Sequence, residues 1–364
     1  MTNKIDFLQL RKQEKQEYFQ LYSEENPTYS LEIVEKDFWV CWTLKQLFEM
    51  PDMLSIAFKG GTSLSKVYGV IDRFSEDIDI TIDYNQLPAA SNPSFKTVFK
   101  KLKEGDKLTN SERKNICREL DENVSQYIET ISIYLQKQIS LLPDASDCTL
   151  KIDAQEKSIR FFYPRLKNDG VQQSYMLPNV LIEFGGRNSI NPNNVREVSP
   201  YLSNLDKENI YKFPDSRITV LSAHRTFWEK ATLIHSECNR ESLRESANRQ
   251  SRHWYDLMKL GQDKIGQEAI KDLDLMKDVV KLKNVFFHNS FNNFDLCLSG
   301  EFKLIPDENG IEQLRKDFTQ MCNANYIIEE NIHFDNILNG VQEIETSINQ
   351  VIIENIGDIK LPMK

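Results

Sequence analysis

The chain has 364 residues, 40% of them hydrophobic and 27% charged, with a formal net charge of −10. That length allows two domains or one large one, and the composition is ordinary for a folded globular protein. The acidic balance argues against a general nucleic-acid coat protein, yet allows a local basic cleft that grips one RNA or one nucleotide.

Residues 31–49 carry Ile33, Val34, Phe38, Cys41, Trp42, Leu44 and Leu47 at roughly helical spacing, which predicts an amphipathic helix. Residues 54–59 read as a short buried strand. Gly60-Gly61 ends it, and Thr62 or Ser63 can cap the helix that follows. Residues 78–83 alternate apolar and polar side chains, the pattern of a half-buried strand. A long, charged helix is expected over 110–141, then strands at 148–153, 157–163 and 179–185, the last being the most apolar. Residues 187–215 contain Pro192, Pro200, Pro214 and many asparagines, and read mostly as loop. After 216 the pattern is helical, at 222–238, 251–262, 265–288, 309–323 and 335–354. The expected class is α+β, with an α/β domain and a mixed sheet over 1–215 and a mostly helical domain over 216–364.

No apolar run of about eighteen residues or more occurs, so no transmembrane helix is expected. The opening Met1-Thr2-Asn3-Lys4-Ile5-Asp6 lacks the apolar core of a signal peptide, and the cytoplasm is the expected compartment. Six scattered cysteines without a CxxC pair read as reduced thiols, most of them buried. The five histidines show no metal-binding spacing, and neither a P-loop nor a GxSxG elbow is present.

The chemistry concentrates in Lys59-Gly60-Gly61-Thr62-Ser63-Leu64-Ser65-Lys66 and Ser75-Glu76-Asp77-Ile78-Asp79. Asp77 and Asp79, two apart on a strand, point to one face about 7 Å from each other and can share a divalent ion. Taken alone, a DxD pair is more often a solvated strand face. A glycine turn just before it shifts the balance, because Gly60 and Gly61 let backbone approach a phosphate. Ser63 offers a hydroxyl, and Lys66 or Lys59 a cation. Glu183, inside an apolar strand, is a third metal ligand or a solvent-facing residue, and Arg187 could pair with it or touch a phosphate. Later, Lys230 lies beside Phe227, Ala231 and Ile234, where it either snorkels or delivers charge to a triphosphate. Asp256 could orient Lys230 through an ion pair or act as a base.

These pieces resemble the AbiEii/AbiGii nucleotidyltransferase-like toxins of the DNA polymerase β-type nucleotidyltransferase superfamily. The likeness runs through Val34-Glu35-Lys36-Asp37-Phe38-Trp39, the Lys59–Lys66 segment, Phe74–Asp79, Ile182-Glu183-Phe184-Gly185, Arg225-Thr226-Phe227-Trp228-Glu229-Lys230, Arg252-His253-Trp254-Tyr255-Asp256, Gly300–Pro306 and Leu314–Phe318. The resemblance implies a toxin of a toxin–antitoxin or phage abortive-infection system. Relatives called MenT move a nucleotide from an NTP to the 3′ end of tRNA. By that likeness Gly60, Gly61, Thr62, Ser63 and Lys66 hold the nucleotide, Asp77 and Asp79 hold Mg²⁺ or Mn²⁺ with Glu183 as a further ligand, and Lys230 and Asp256 are catalytic. The helical domain would complete the active-site cleft. Expected partners are an NTP, an RNA acceptor such as tRNA and a cognate antitoxin. Transfer to a protein hydroxyl, or a non-catalytic nucleotide-binding module, are the competing readings.

Overall fold

The computed structural model describes residues 4–104, 106–166, 177–241, 243, 249–355 and 357. In chain order it begins with β1 (Ile5–Asp6), α1 (Lys12–Glu25), α2 (Leu31–Phe48), β2 (Ile56–Lys59), α3 (Gly60–Lys66) and β3 (Ile78–Asp83). Next come α4 (Pro93–Glu104), α5 (Asn110–Ile139), β4 (Thr149–Asp153), β5 (Ser158–Phe162), β6 (Asn179–Asn188), β7 (Asn193–Val198), β8 (Tyr211–Lys212) and β9 (Ser216–Leu221). The rest is helical: α6 (Ala223–Cys238), α7 (Ser251–Gln262), α8 (Lys264–Lys271), α9 (Leu273–Phe286), α10 (Glu308–Asn323) and α11 (Phe334–Glu354). The class is α+β. No helix among the described residues is long and apolar enough to cross a membrane.

The chain forms two compact units. The first takes Met1–Val67, Ser75–Leu87 and Asp121–Val220, and the second Tyr68–Phe74, Pro88–Leu120 and Leu221–Lys364. The first unit is built on a seven-stranded sheet in the order β4-β5-β6-β3-β2-β9-β7. It is mixed: β2 and β3 are antiparallel, whereas β3 pairs in parallel with β6 and β2 with β9. Alternation decides which face is dry. Ile78, Ile80, Phe58 and Ile182 are fully buried, and Phe58 and Ile80 sit opposite each other in the ladder. On this side Trp39 and Trp42 of α2 lie 5.7 and 5.1 Å from the Phe161 ring. Ser30 caps α2 by accepting from the Ile33 N–H.

The segment 187–215 is more ordered than its prolines and asparagines suggest. β6 continues through Gly185-Gly186 to Asn188 by shifting register against β3, and β7 and β8 follow. Pro192, Pro200 and Pro214 all lie in the connections, and the strands fall between them. A side chain at Gly186 would meet Val124 at 2.4 Å, so glycine lets that helix lie close on the strand. The single helix expected at 265–288 is two, because Asp272 interrupts it and caps α9 through the Leu275 N–H.

The second unit is helical. Trp228 and Trp254 are fully buried, and their indole N–H groups donate to the Ala269 carbonyl at 3.1 Å and the Leu304 carbonyl at 2.9 Å. The short stretch Tyr68–Phe74 joins it through the Phe74 N–H, which donates to the Tyr326 carbonyl at 2.8 Å. All six cysteines are free. Cys41, Cys238 and Cys297 are buried, and Cys117, Cys148 and Cys322 are half-buried rather than deep in the core.

Candidate active site

In the first unit, the polar face of the sheet carries a row set by register. Lys59 on β2 is opposite Asp79 on β3, and Asp79 is opposite Glu183 on β6. Cross-strand partners share a face, so these three groups stand side by side about 5 Å apart at the backbone. Gly60 turns the chain directly above Asp79 with φ +80°. A Cβ on Gly60 would lie 1.9 Å from Asp79 Oδ2. Both the left-handed backbone and the close carboxylate therefore demand glycine at this position. Asp79 is half-buried, and its side chain makes no hydrogen bond or ion pair among the described residues.

The neighbouring polar side chains hold this geometry rather than face a ligand. The Thr62 hydroxyl donates to the Asp77 carbonyl at 2.6 Å and meets Ser75 Oγ at 2.9 Å. It ties the start of α3 to the entry of β3. Ser63, expected to grip a phosphate, is fully buried and donates to the Gly60 carbonyl at 2.8 Å. Lys66, expected to do the same, points the other way. Its Nζ lies 2.5 Å from Asp37 Oδ1 and 4.0 Å from the centre of the Tyr201 ring, with its side chain 4% exposed. Burial opposes its charge, but Asp37, Cys41 and Tyr201 outweigh that and hold the ammonium above its ordinary range. The Lys36 ammonium, equally buried, pairs with Glu76 and donates to the Leu177 carbonyl at 3.0 Å. Thus Lys36 and Asp37, adjacent on α2, anchor the two halves of the motif, Glu76 and Lys66. Neither anchor was expected. The available signal was three successive charges, Glu35-Lys36-Asp37, inside an apolar helix, because buried charges require partners.

Glu183 is exposed, and Arg187 does not reach for it: that guanidinium binds Asp121, with Nε 2.9 Å from Oδ1. No group of three or more acidic, histidine or cysteine side chains among the described residues is arranged to hold a metal ion. The expected triad with Glu183 is therefore not assembled. A pair such as Asp77 and Asp79 is still the donor set that suits Mg²⁺, which binds one or two carboxylates and completes its shell with water and phosphate oxygens. Asp77 lies just ahead of β3 rather than on it as expected, and an unpaired, half-buried Asp79 side chain two residues along fits that need.

The second unit brings Lys230 and Asp256 together. Lys230 Nζ is 2.7 Å from Asp256 Oδ2. Asp256 is fully buried and also takes a forked contact from Arg73, Nε to Oδ1 at 2.6 Å and Nη2 to Oδ2 at 2.8 Å. Burial raises the carboxyl's pKa, but Arg73 and Lys230 reverse this and hold it well below the usual carboxylate range. A carboxylate so committed orients Lys230 and is a poor base. Burial, aided by Arg73, pulls the Lys230 ammonium below its ordinary range despite Asp256. Arg73 had no signal in the sequence, since its partner lies 183 residues away.

A comparison with family models matches residues 42–340 to the nucleotidyl transferase AbiEii toxin of type IV toxin–antitoxin systems. The chain belongs to the AbiEii family. It is therefore a toxin-type nucleotidyltransferase, with a nucleotide as substrate and an antitoxin as its system partner. The AbiEii match spans Gly60, Asp77, Asp79, Glu183, Lys230 and Asp256, but starts after Lys36 and Asp37. No curated protein matches the chain.

Proposed function

We propose that this AbiEii protein transfers a nucleotide from an NTP to an RNA acceptor in the cytoplasm, the 3′ end of tRNA being the acceptor that the likeness to MenT toxins favours. The observation that carries the reading is the Asp79 carboxylate lying unpaired against the glycine turn at Gly60, within a chain of nucleotidyltransferase family. Asp77 and Asp79 are the residues that would hold Mg²⁺, which when bound supplies charge neutralisation for the triphosphate and a lower pKa for the attacking hydroxyl. The acceptor oxygen forms a bond to the α-phosphorus, and the bond to the pyrophosphate oxygen breaks. Gly60 leaves the room that the Asp79 carboxylate occupies beside the turn. Thr62 fixes the strand entry that carries Asp77. Lys230, oriented by Asp256 and Arg73, offers an ammonium to phosphate oxygens as negative charge builds on them. Lys66 and Ser63 have no part in binding the nucleotide.

The test is incubation of the purified protein with each labelled NTP, Mg²⁺ and total tRNA, resolved on a gel, beside a parallel protein pool. Lengthened, labelled tRNA that disappears with Asp77→Asn is the expected result. Label in the protein pool alone would move the acceptor to a protein hydroxyl. Full transfer by Asp77→Asn would refute the assignment of the carboxylates.

A further inference from the structure

The helical unit holds more positive charge around Lys230 than its carboxylate can balance. α7 places Arg252 one turn before Asp256, on the same side of the helix. Both oxygens of Asp256 are already occupied, by Arg73 and Lys230. Arg252 is half-buried, and its side chain makes no hydrogen bond, ion pair or ring contact among the described residues. Two cations thus take the carboxylate, and Arg252 stands near them without a share in it. His253, next along the helix, feels the excess: burial first, then Lys230 and Arg252, push its imidazole well below its ordinary pKa. Arg252 also helps lower Lys230.

A partly desolvated cation without a counter-ion is costly, and an arriving anion relieves that cost. The chain as a whole is acidic, with net charge −10, so general attraction for anions does not explain such a cluster. We propose that Arg252, with Lys230 and His253, forms a polyphosphate-binding cradle on the helical unit. The guanidinium offers a planar fork matched to phosphate oxygens, the ammonium a point charge, and the imidazole a third donor. Cations from two helices, α6 and α7, suit a chain of linked phosphates better than a single one. The proposal rests on the nucleotidyltransferase reading, to which it adds the residue that grips the triphosphate or the departing pyrophosphate.

The probe is inorganic tripolyphosphate, titrated calorimetrically into the full-length protein in metal-free buffer with EDTA. Wild type should bind, Arg252→Gln should bind about tenfold more weakly or worse, and Arg252→Lys should fall between them. Lys264→Gln, an exposed charge on α8 with its side chain 84% solvent-accessible, should match wild type. The proposal is overturned if wild type shows no binding at millimolar ligand, if Arg252→Gln binds as wild type does, or if Lys264→Gln weakens binding equally. The transfer reading fails separately: a protein that holds tripolyphosphate through Arg252 yet labels no acceptor would keep the cradle and lose the proposed reaction.

Discussion

Asp79 and Asp256 are the same side chain in opposite circumstances. Asp79 stands half-buried on a sheet face, with Glu183 beside it, a glycine against it and no bonded partner among the described residues. Asp256 is fully buried, and two cations take both of its oxygens. The first environment leaves a carboxylate able to take a cation from outside; the second uses it up in holding Arg73 and Lys230. An acidic residue in a recognisable motif therefore does not announce its role. The partners it already has decide whether it faces chemistry or architecture.

Substitution should separate the two sharply. Asp79→Asn is expected to lower nucleotide transfer by about 10³-fold while leaving the thermal midpoint unchanged or slightly raised, because a like charge beside Glu183 is removed. Activity assays paired with calorimetry check it, and a large loss of stability would mean that Asp79 is structural after all. Asp256→Ala should do the reverse, costing about 3–5 kcal/mol of stability by stranding Arg73 and Lys230 without a counter-charge. Denaturant titration measures that; a cost below about 1 kcal/mol would erase the distinction.

The contrast extends to pH. The Asp256 carboxyl is held low in the folded state, so its stabilisation is present above the unfolded carboxyl's pKa of about 3.9 and fades as pH falls through the folded value. Glu35 behaves oppositely. It is buried on α2, its Oε1 accepts from the Leu166 N–H at 2.9 Å, and burial pushes its pKa up to about 7. Between roughly pH 4.5 and 7 the folded form retains a proton that the unfolded form has lost, so rising pH across that window removes stability. Glu35→Gln should therefore gain about 2–3 kcal/mol over wild type at pH 8 and nothing at pH 4. Paired urea melts at the two pH values decide it.

Gly60→Ala should cost about 1–2 kcal/mol of stability from the left-handed backbone alone. Its effect on transfer should be out of proportion to that, since the new methyl would displace the Asp79 carboxylate. Retained transfer at near wild-type rate would detach Gly60 from the site.

What was legible in the sequence follows from how local the physics is. The alternation over 78–83 and the glycine break read correctly because strand period and backbone freedom are properties of a few adjacent residues, whereas Asp77 falls just before the strand. The α+β class and most helices follow from apolar spacing in the same way. Ser63 and Lys66 misled because their chemistry looked available; only the fold shows that a carbonyl three residues back and a carboxylate on α2 had already taken them. Arg73 lay beyond reach, since nothing nearby in the chain distinguishes a buried fork from a surface arginine. The 187–215 stretch is mostly connection as read, with Pro192, Pro200 and Pro214 all outside strands, but the short strands β7 and β8 within it carried no strong local pattern.

The adjacent Lys36 and Asp37 have a practical corollary. They lie upstream of the region, 42–340, by which the family is recognised. Trimming an expression clone to the recognised region would delete α1 and the first part of α2, and with them the Lys36–Glu76 and Asp37–Lys66 ion pairs. Such a clone should yield aggregated material, whereas one that starts ahead of α1 should give a well-behaved preparation.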